Sequence, residues 1–205
     1  MKLQLALDTS LKKGLKICEK VKKHIDIIEL GTPLIKAEGV KAVKKFKKFR
    51  KPIMADLKTM DTGFLEAEMA FKAGADLATV CAASSKNTIF GAVKAAKKYK
   101  KKIVVDFIGV RNMKKRLKEI SHINADYFEI HTGIDLQKKG ESPLVYLKKV
   151  IKIVNSKKIS VAGGINLKSI DSFAKLKPAI IVVGSAITSS KNPGLTAKEL
   201  KERIK

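Results

Sequence analysis

The sequence predicts an α/β chain built as one (β/α)8 TIM barrel, with residues 1–205 forming a single domain. Three observations carry this expectation. Eight short apolar, β-branched runs recur along the chain. Between them the apolar residues switch to helical spacing, as in Leu11, Leu15, Cys18 and Val21, or Leu144, Leu147, Ile151 and Val154. No shift in composition marks a linker, and 205 residues at 45% hydrophobic content suit one well-cored domain and are short for two.

In order, the runs are LQLALD ending at Asp8, IDIIEL from Ile25, PIMADL from Pro52, DLATVC from Asp76, KIVVDF from Lys102, DYFEIH from Asp126, KISVAG from Lys158 and AIIVVG from Ala179. They lack polar alternation, which suits parallel strands covered on both faces. GAD and NAD turns precede several of them, as where a helix stops before the next strand. A doubly wound sheet is the rival. It wants fewer strands and a glycine-rich first turn, and LDTSLKKG after the first run is not Gly-x-Gly-x-x-Gly.

Lys and Arg number 44 against 19 Asp and Glu, a net charge of +25. The lysines fill the polar sides of amphipathic segments such as LKKGLKICEKVKK and VKAAKKYKKK, and aromatics are only 5% with no Trp. Scattered charge without stacking residues argues against nucleic acid as a partner and leaves a polyanion-binding role as the alternative of another class. The basic stretch IGVRNMKKRLKE after Asp106 keeps that alternative in view. No apolar window approaches the ~18 residues of a membrane span, and Asp8 interrupts the N-terminal run with no cleavage site after it. Cys18 and Cys81 stand far apart without a Cys-x-x-Cys, which points to a reduced, cytoplasmic setting and to neither a disulfide framework nor a zinc site.

A barrel places its chemistry where the strands run out, at the C-terminal face. The residues there are Asp8, Glu29, Asp56, Cys81, Asp106 and His131, 21 to 27 residues apart, or about one βα unit each. Carboxylates also favour the first turn of a following helix, but four acids and a histidine at successive tips point to one shared site. After the seventh and eighth runs come Gly163-Gly164 and Gly184-Ser185. Glycines let backbone N–H groups approach an anion, and these two loops are the usual phosphate site of such barrels, so a phosphorylated small molecule is the expected substrate. Glu29 and Asp56 end adjacent strands with hard oxygen ligands suited to Mg²⁺. Lys58, two residues beyond Asp56, shares its face and adds positive charge for an enediolate. His131 is the one histidine at a strand end and the candidate proton shuttle; His24 and His122 receive no role.

The stretch Asp56-Leu-Lys-Thr-Met-Asp61 is similar to the Asp-x-Lys-x-x-Asp signature of the orotidine 5′-monophosphate decarboxylase superfamily. With MADLKTMDTGFLEAEMAFKAGAD, VVDFIGV, EIHTGID and VAGGIN in order, the chain resembles the 3-hexulose-6-phosphate synthase branch from Leu5 to about Thr188. The resemblance implies a homodimeric barrel with shared active sites, in which Asp61 reaches the partner's site. It implies Mg²⁺ on Glu29 and Asp56, with Lys58 beside the intermediate. The implied reaction is a reversible aldol condensation of formaldehyde with D-ribulose 5-phosphate, giving D-arabino-3-hexulose 6-phosphate. His131 would move the proton, with Asp106 able to share it. Asp8 would orient substrate hydroxyls, and the backbone of Gly163, Gly164, Gly184 and Ser185 would bind phosphate.

The sibling branch, 3-keto-L-gulonate 6-phosphate decarboxylase, is the alternative. It resembles HRSRD where this chain has His131-Thr-Gly-Ile-Asp135, so Ile134 stands in place of a catalytic arginine. It favours Glu at Asp106 and Arg at Ser185. All three positions go the synthase way. A non-catalytic barrel predicts loss of at least one site acid, and every one is present.

Overall fold

Each strand of the barrel bonds in parallel to the next in sequence, and the eighth returns to the first, in the computed structural model, which describes residues Met1–Lys205. The strands are β1 (Lys2–Leu7), β2 (Ile27–Leu30), β3 (Ile53–Thr59), β4 (Leu77–Cys81), β5 (Lys102–Asp106), β6 (Tyr127–His131), β7 (Ile159–Ala162) and β8 (Ile180–Val183). All eight apolar runs are strands. The helices between and after them are α1 (Leu11–Val21), α2 (Thr32–Glu38), α3 (Val43–Phe46), α4 (Gly63–Lys72), α5 (Lys86–Tyr99), α6 (Met113–Ile120), α7 (Ile134–Gln137), α8 (Pro143–Val150), α9 (Ile170–Ala174), α10 (Ser185–Thr188) and α11 (Pro193–Glu202).

Local chemistry explains the helix ends. Ser10 and Ser85 accept backbone N–H groups of Lys13 and Thr88, opening α1 and α5. α1 buries Gly14, Ile17, Cys18 and Val21 and turns Lys12, Lys13, Lys16 and Lys20 to water, as its period requires. α8 stops at Val150, short of the spacing that ran on to Val154. There the N–H groups of Ile153 and Val154 both reach the Val150 carbonyl, a tight turn that still packs Ile151 and Val154 on the core.

Strand alternation divides the apolar residues into two bodies. Fifty-two buried residues fill the layer between the strands and the helices. Eight more, among them Ala6, Ile27, Met54, Leu77 and Val104, fill the barrel interior. Interleaved with this floor, the other inward positions are polar: Gln4, Glu29, Asp56, Thr79, Asp106, Glu129 and Ser160 are all buried. Buried polar groups cost a few kcal/mol each unless bonded, so this layer is a network.

The turns before β2, β4 and β6 contribute more than helix stops. Asp26, Asp76 and Asp126 accept the backbone N–H groups of Leu3, Ile53 and Ile103, at 2.7, 3.0 and 3.0 Å. Each carboxylate ties its own strand to the preceding one at the N-terminal face. No helix is long and apolar enough to cross a membrane.

Candidate active site

The polar layer opens upward into a cavity of about 460 Å³ at the C-terminal ends of the strands. Asp8, Glu29, Asp56, Lys58, His131, Gly163, Gly164, Gly184 and Ser185 line it, so nine of the expected site residues meet at one mouth. Asp106 lies directly beneath, fully buried, with its carboxylate between Lys58 and His131.

Asp56 is held from three sides. Thr32 Oγ1 donates to its Oδ2 at 2.8 Å, Thr79 Oγ1 to its Oδ1 at 2.8 Å, and the Lys58 ammonium pairs with Oδ2. Lys58 reaches that face through an irregular strand. Between the Ala55–Ala78 and Thr59–Val80 pairs, β3 advances four residues against two on β4. Lys58 takes a left-handed φ of 48°, its N–H donates to Thr79 Oγ1, and its carbonyl accepts the Cys81 thiol. Such a φ on a lysine costs of order 1 kcal/mol, a strain often found at functional positions. Burial disfavours the Lys58 charge, but Asp56 and Asp106 outweigh it and hold the ammonium above its ordinary range.

His131 Nδ1 lies 3.0 Å from Asp106 Oδ2 and 3.8 Å from Glu129 Oε1. Burial disfavours the imidazolium, yet the Asp106 charge and hydrogen bond, with Glu129, push its pKa up to about 9. Burial would raise Asp106, but His131, Lys58 and the N–H of Ile108 keep it low and ionised. Nδ1 therefore donates to Asp106, and Nε2 is the nitrogen left for substrate. Cys81 has its thiol pushed up to about 11, first by burial and then by Asp106, so it is no nucleophile.

The β1–β3 side of the mouth is short of positive charge. Burial, with Asp56 and Glu129 as neighbours, raises Glu29 well above the usual carboxyl range. Asp8 is raised too, by burial and by Asp56. Gln4 donates to Glu29 Oε2 at 2.7 Å, while Gln4 Oε1 is buried without a partner. Hard oxygen donors, an excess of negative charge and an unsatisfied acceptor fit a hydrated divalent cation at Glu29 and Asp56. Asp106, Glu129 and His131 also bring ligand atoms within 4.8 Å of one another. In that cluster His131 Nδ1 and the Lys58 ammonium already face the Asp106 carboxylate, at 3.0 and 3.6 Å.

Gly163 and Gly164 have φ of +122° and +66°, and a Cβ on Gly163 would lie 2.5 Å from the Thr132 carbonyl oxygen. Only glycine turns the chain there. Gly184 precedes α10, which opens on Ser185. Asp61 is different. It is exposed, absent from the mouth of its own chain, and accepts the N–H of Thr62, which has a left-handed φ of 49°.

Glu129, Gln4, Thr79 and Ser160 sit one or more pleats below the tips, where the strand-end rule does not reach. The signal was available: Glu129 is two residues before His131 and so shares its face. Thr32 and Lys13, on α2 and α1, had no such signal; Lys13 lines the cavity from outside the strands.

A family model described as Orotidine 5'-phosphate decarboxylase / HUMPS family matches residues 1–200. The chain belongs to that family. A curated relative in the family, 3-hexulose-6-phosphate synthase of Bacillus subtilis strain 168, is 41% identical and covers 100% of this chain and 99% of its own. The synthase of Mycobacterium gastri is 42% identical, covering 100% of both. The crystal structure of 3-hexulose-6-phosphate synthase from Salmonella typhimurium superposes with a TM-score of 0.97 at 38% identity, over 100% of this chain and 98% of that one. Within the HUMPS family the chain is an enzyme of the 3-hexulose-6-phosphate synthase branch, in agreement with its motifs.

Proposed function

We propose that the enzyme is a Mg²⁺-dependent aldolase that reversibly condenses formaldehyde with D-ribulose 5-phosphate to D-arabino-3-hexulose 6-phosphate. The observation that carries this reading is the continuous Asp56–Lys58–Asp106–His131 chain beneath a cavity whose far wall is Gly163, Gly164, Gly184 and Ser185. It pairs a proton carrier and a fixed ammonium with a phosphate cradle, at one mouth.

In this scheme the phosphate seats on the β7 and β8 loops and Asp8 orients the sugar hydroxyls. Glu29 and Asp56 would hold Mg²⁺, which when bound supplies Lewis-acid stabilisation of negative oxygen. Neutral His131 takes the C1 proton at Nε2, while Nδ1 stays on Asp106. The Lys58 ammonium faces the negative charge that then develops. C1 attacks the formaldehyde carbon, and His131 returns the proton to the former carbonyl oxygen. One proton leaves carbon and one reaches oxygen, so the cycle balances. Ile134, exposed at the cavity wall, and Ser185 stand where the sibling decarboxylase resembles arginine, which favours the synthase over that branch.

The dimer with shared sites belongs to the same proposal. α4 exposes Leu65 and Met69 one turn apart, and Met60 and Phe90 beside it are 55% and 60% exposed. Met60 adjoins Asp61 in sequence, and these exposed apolar side chains suit a second copy of the chain. Gly63 clamps α4 onto α5, where a Cβ would lie 1.9 Å from the Thr88 carbonyl oxygen, so the surface is presented rigidly.

The test is formaldehyde consumption with D-ribulose 5-phosphate, with Mg²⁺ and then with EDTA. Metal-dependent consumption with a hexulose phosphate formed supports the reading. No consumption in either condition overturns it and sends 3-keto-L-gulonate 6-phosphate to the same assay.

A further inference from the structure

Glu129 belongs to none of the roles above. It sits on β6 with its side chain inside the barrel, two residues before His131, and is 3% exposed. Its Oε2 accepts the Ser160 hydroxyl of β7 at 2.7 Å, which aims Oε1 at His131 Nδ1, 3.8 Å away. The same nitrogen faces Asp106 Oδ2 at 3.0 Å. One imidazole nitrogen thus looks into two buried carboxylates on neighbouring strands.

A buried carboxylate is costly, and an apolar residue on this strand would fill the space more cheaply. What Glu129 adds is negative charge behind the proton carrier. We propose that Glu129 is a positioning residue which, with Asp106, holds His131 in its charged form and so sets the pH at which His131 can accept a proton. This rests on His131 as the base of the reaction above, and the experiment separates the two claims.

The groups facing the pair are few. Asp106 on β5 and Lys58 on β3 face His131, the first favouring its charge and the second opposing it. Asp106, His131 and Asp56 act on Glu129 itself, and Glu29 feels Glu129 from β2. Burial, then Asp106, raises the Glu129 carboxyl to about 7, against the opposing pull of His131 and the Ser160 hydroxyl. Glu129 and His131 face each other at 3.8 Å, so the protonation of one bears on the other, and removing the Glu129 charge must show in the His131 midpoint.

The chain has three histidines, so imidazole NMR follows His131 directly. Wild type and Glu129→Gln, which keeps shape and can still bond Ser160, are titrated at one fixed Mg²⁺ concentration, with thermal melts confirming the fold. The His131 midpoint is expected to fall by about one pH unit, roughly tenfold in proton affinity, on loss of one facing carboxylate. The rising limb of the kcat profile moves down with it. Glu129→Asp, which keeps the charge, lies between the two. Should Gln not be tolerated, Ser160→Ala weakens the Glu129 charge without removing the residue and must lower the midpoint too. An unchanged or raised midpoint overturns the proposal. A lowered midpoint with an unmoved rate profile supports the coupling and overturns His131 as the base.

Discussion

The Lys58 ammonium lies 3.6 Å from the Asp106 carboxylate while pairing with Asp56, so one cation joins the acid on β3 to the acid beneath His131. Two buried carboxylates depend on it. Lys58→Ala should cost at least two orders of magnitude in kcat. It should leave the circular dichroism of the barrel intact, because the apolar floor and outer layer are untouched. An active Lys58→Ala enzyme removes Lys58 from the reaction.

Sharing across a dimer makes a different demand. Asp61→Ala and Asp56→Ala should each be nearly inactive alone. Mixed and allowed to exchange subunits, they should regain about a quarter of wild-type activity, since random pairing leaves one intact site in each hybrid dimer. Subunit exchange without recovery would place Asp61 outside the site.

The pH dependence follows from the raised groups. His131 goes from 6.5 to about 9, so neutral base accumulates as pH climbs toward 9, and kcat of the Mg²⁺-loaded enzyme should rise with it. Stability runs the other way. A folded pKa above the unfolded one contributes stability that is complete below the unfolded value and lost as pH rises through the folded value. Glu129, raised from 4.5 to about 7, acts in the same direction. Thermal melts of metal-free enzyme between pH 5 and pH 9 should show Tm falling, and a double Glu129→Gln, His131→Asn variant should flatten the curve. A Tm that climbs over that window contradicts the assignment.

Metal binding is visible without catalysis. Glu29 is held well above its ordinary range by burial and by neighbouring acids, and a divalent cation relieves that. Mg²⁺ at a hundredfold excess over Kd should add ~2.7 kcal/mol of stability, read as a rise in Tm. Glu29→Gln should shrink that rise sharply. An equal rise in the variant puts the ion elsewhere.

Gly163→Ala tests the phosphate loop. The new Cβ meets the Thr132 carbonyl at 2.5 Å, and the φ of +122° is unsuited to alanine. A loss of about 2 kcal/mol in stability and a raised KM for the phosphorylated substrate are expected. A KM unchanged from wild type would detach this loop from phosphate.

The eight strands and the acids at their tips were legible in the linear chain because both follow from local rules. Parallel strands covered on both faces must be continuously apolar, and a strand in a βα unit ends where it meets solvent. Asp8, Glu29, Asp106 and His131 fall at or beside those ends by period alone, whereas β3 runs on irregularly past Asp56 to Thr59. The branch of the family was legible too, in the run from Asp56 to Asp61 and its companions. What closure of the barrel decided is which side chains touch. The sequence separates Asp106 from Lys58 by 48 positions and Glu129 from Ser160 by 31, and nothing local pairs them. The irregular step in β3 where Lys58 takes a left-handed conformation coincides with the shift of its register against β4, a pairing the linear chain does not display. The pKa values are tertiary as well, because burial and facing charges exist only after the strands have closed. The chain by itself determined a barrel with an acidic mouth; the fold decided which of those acids stay charged, and which nitrogen of His131 is left free to act.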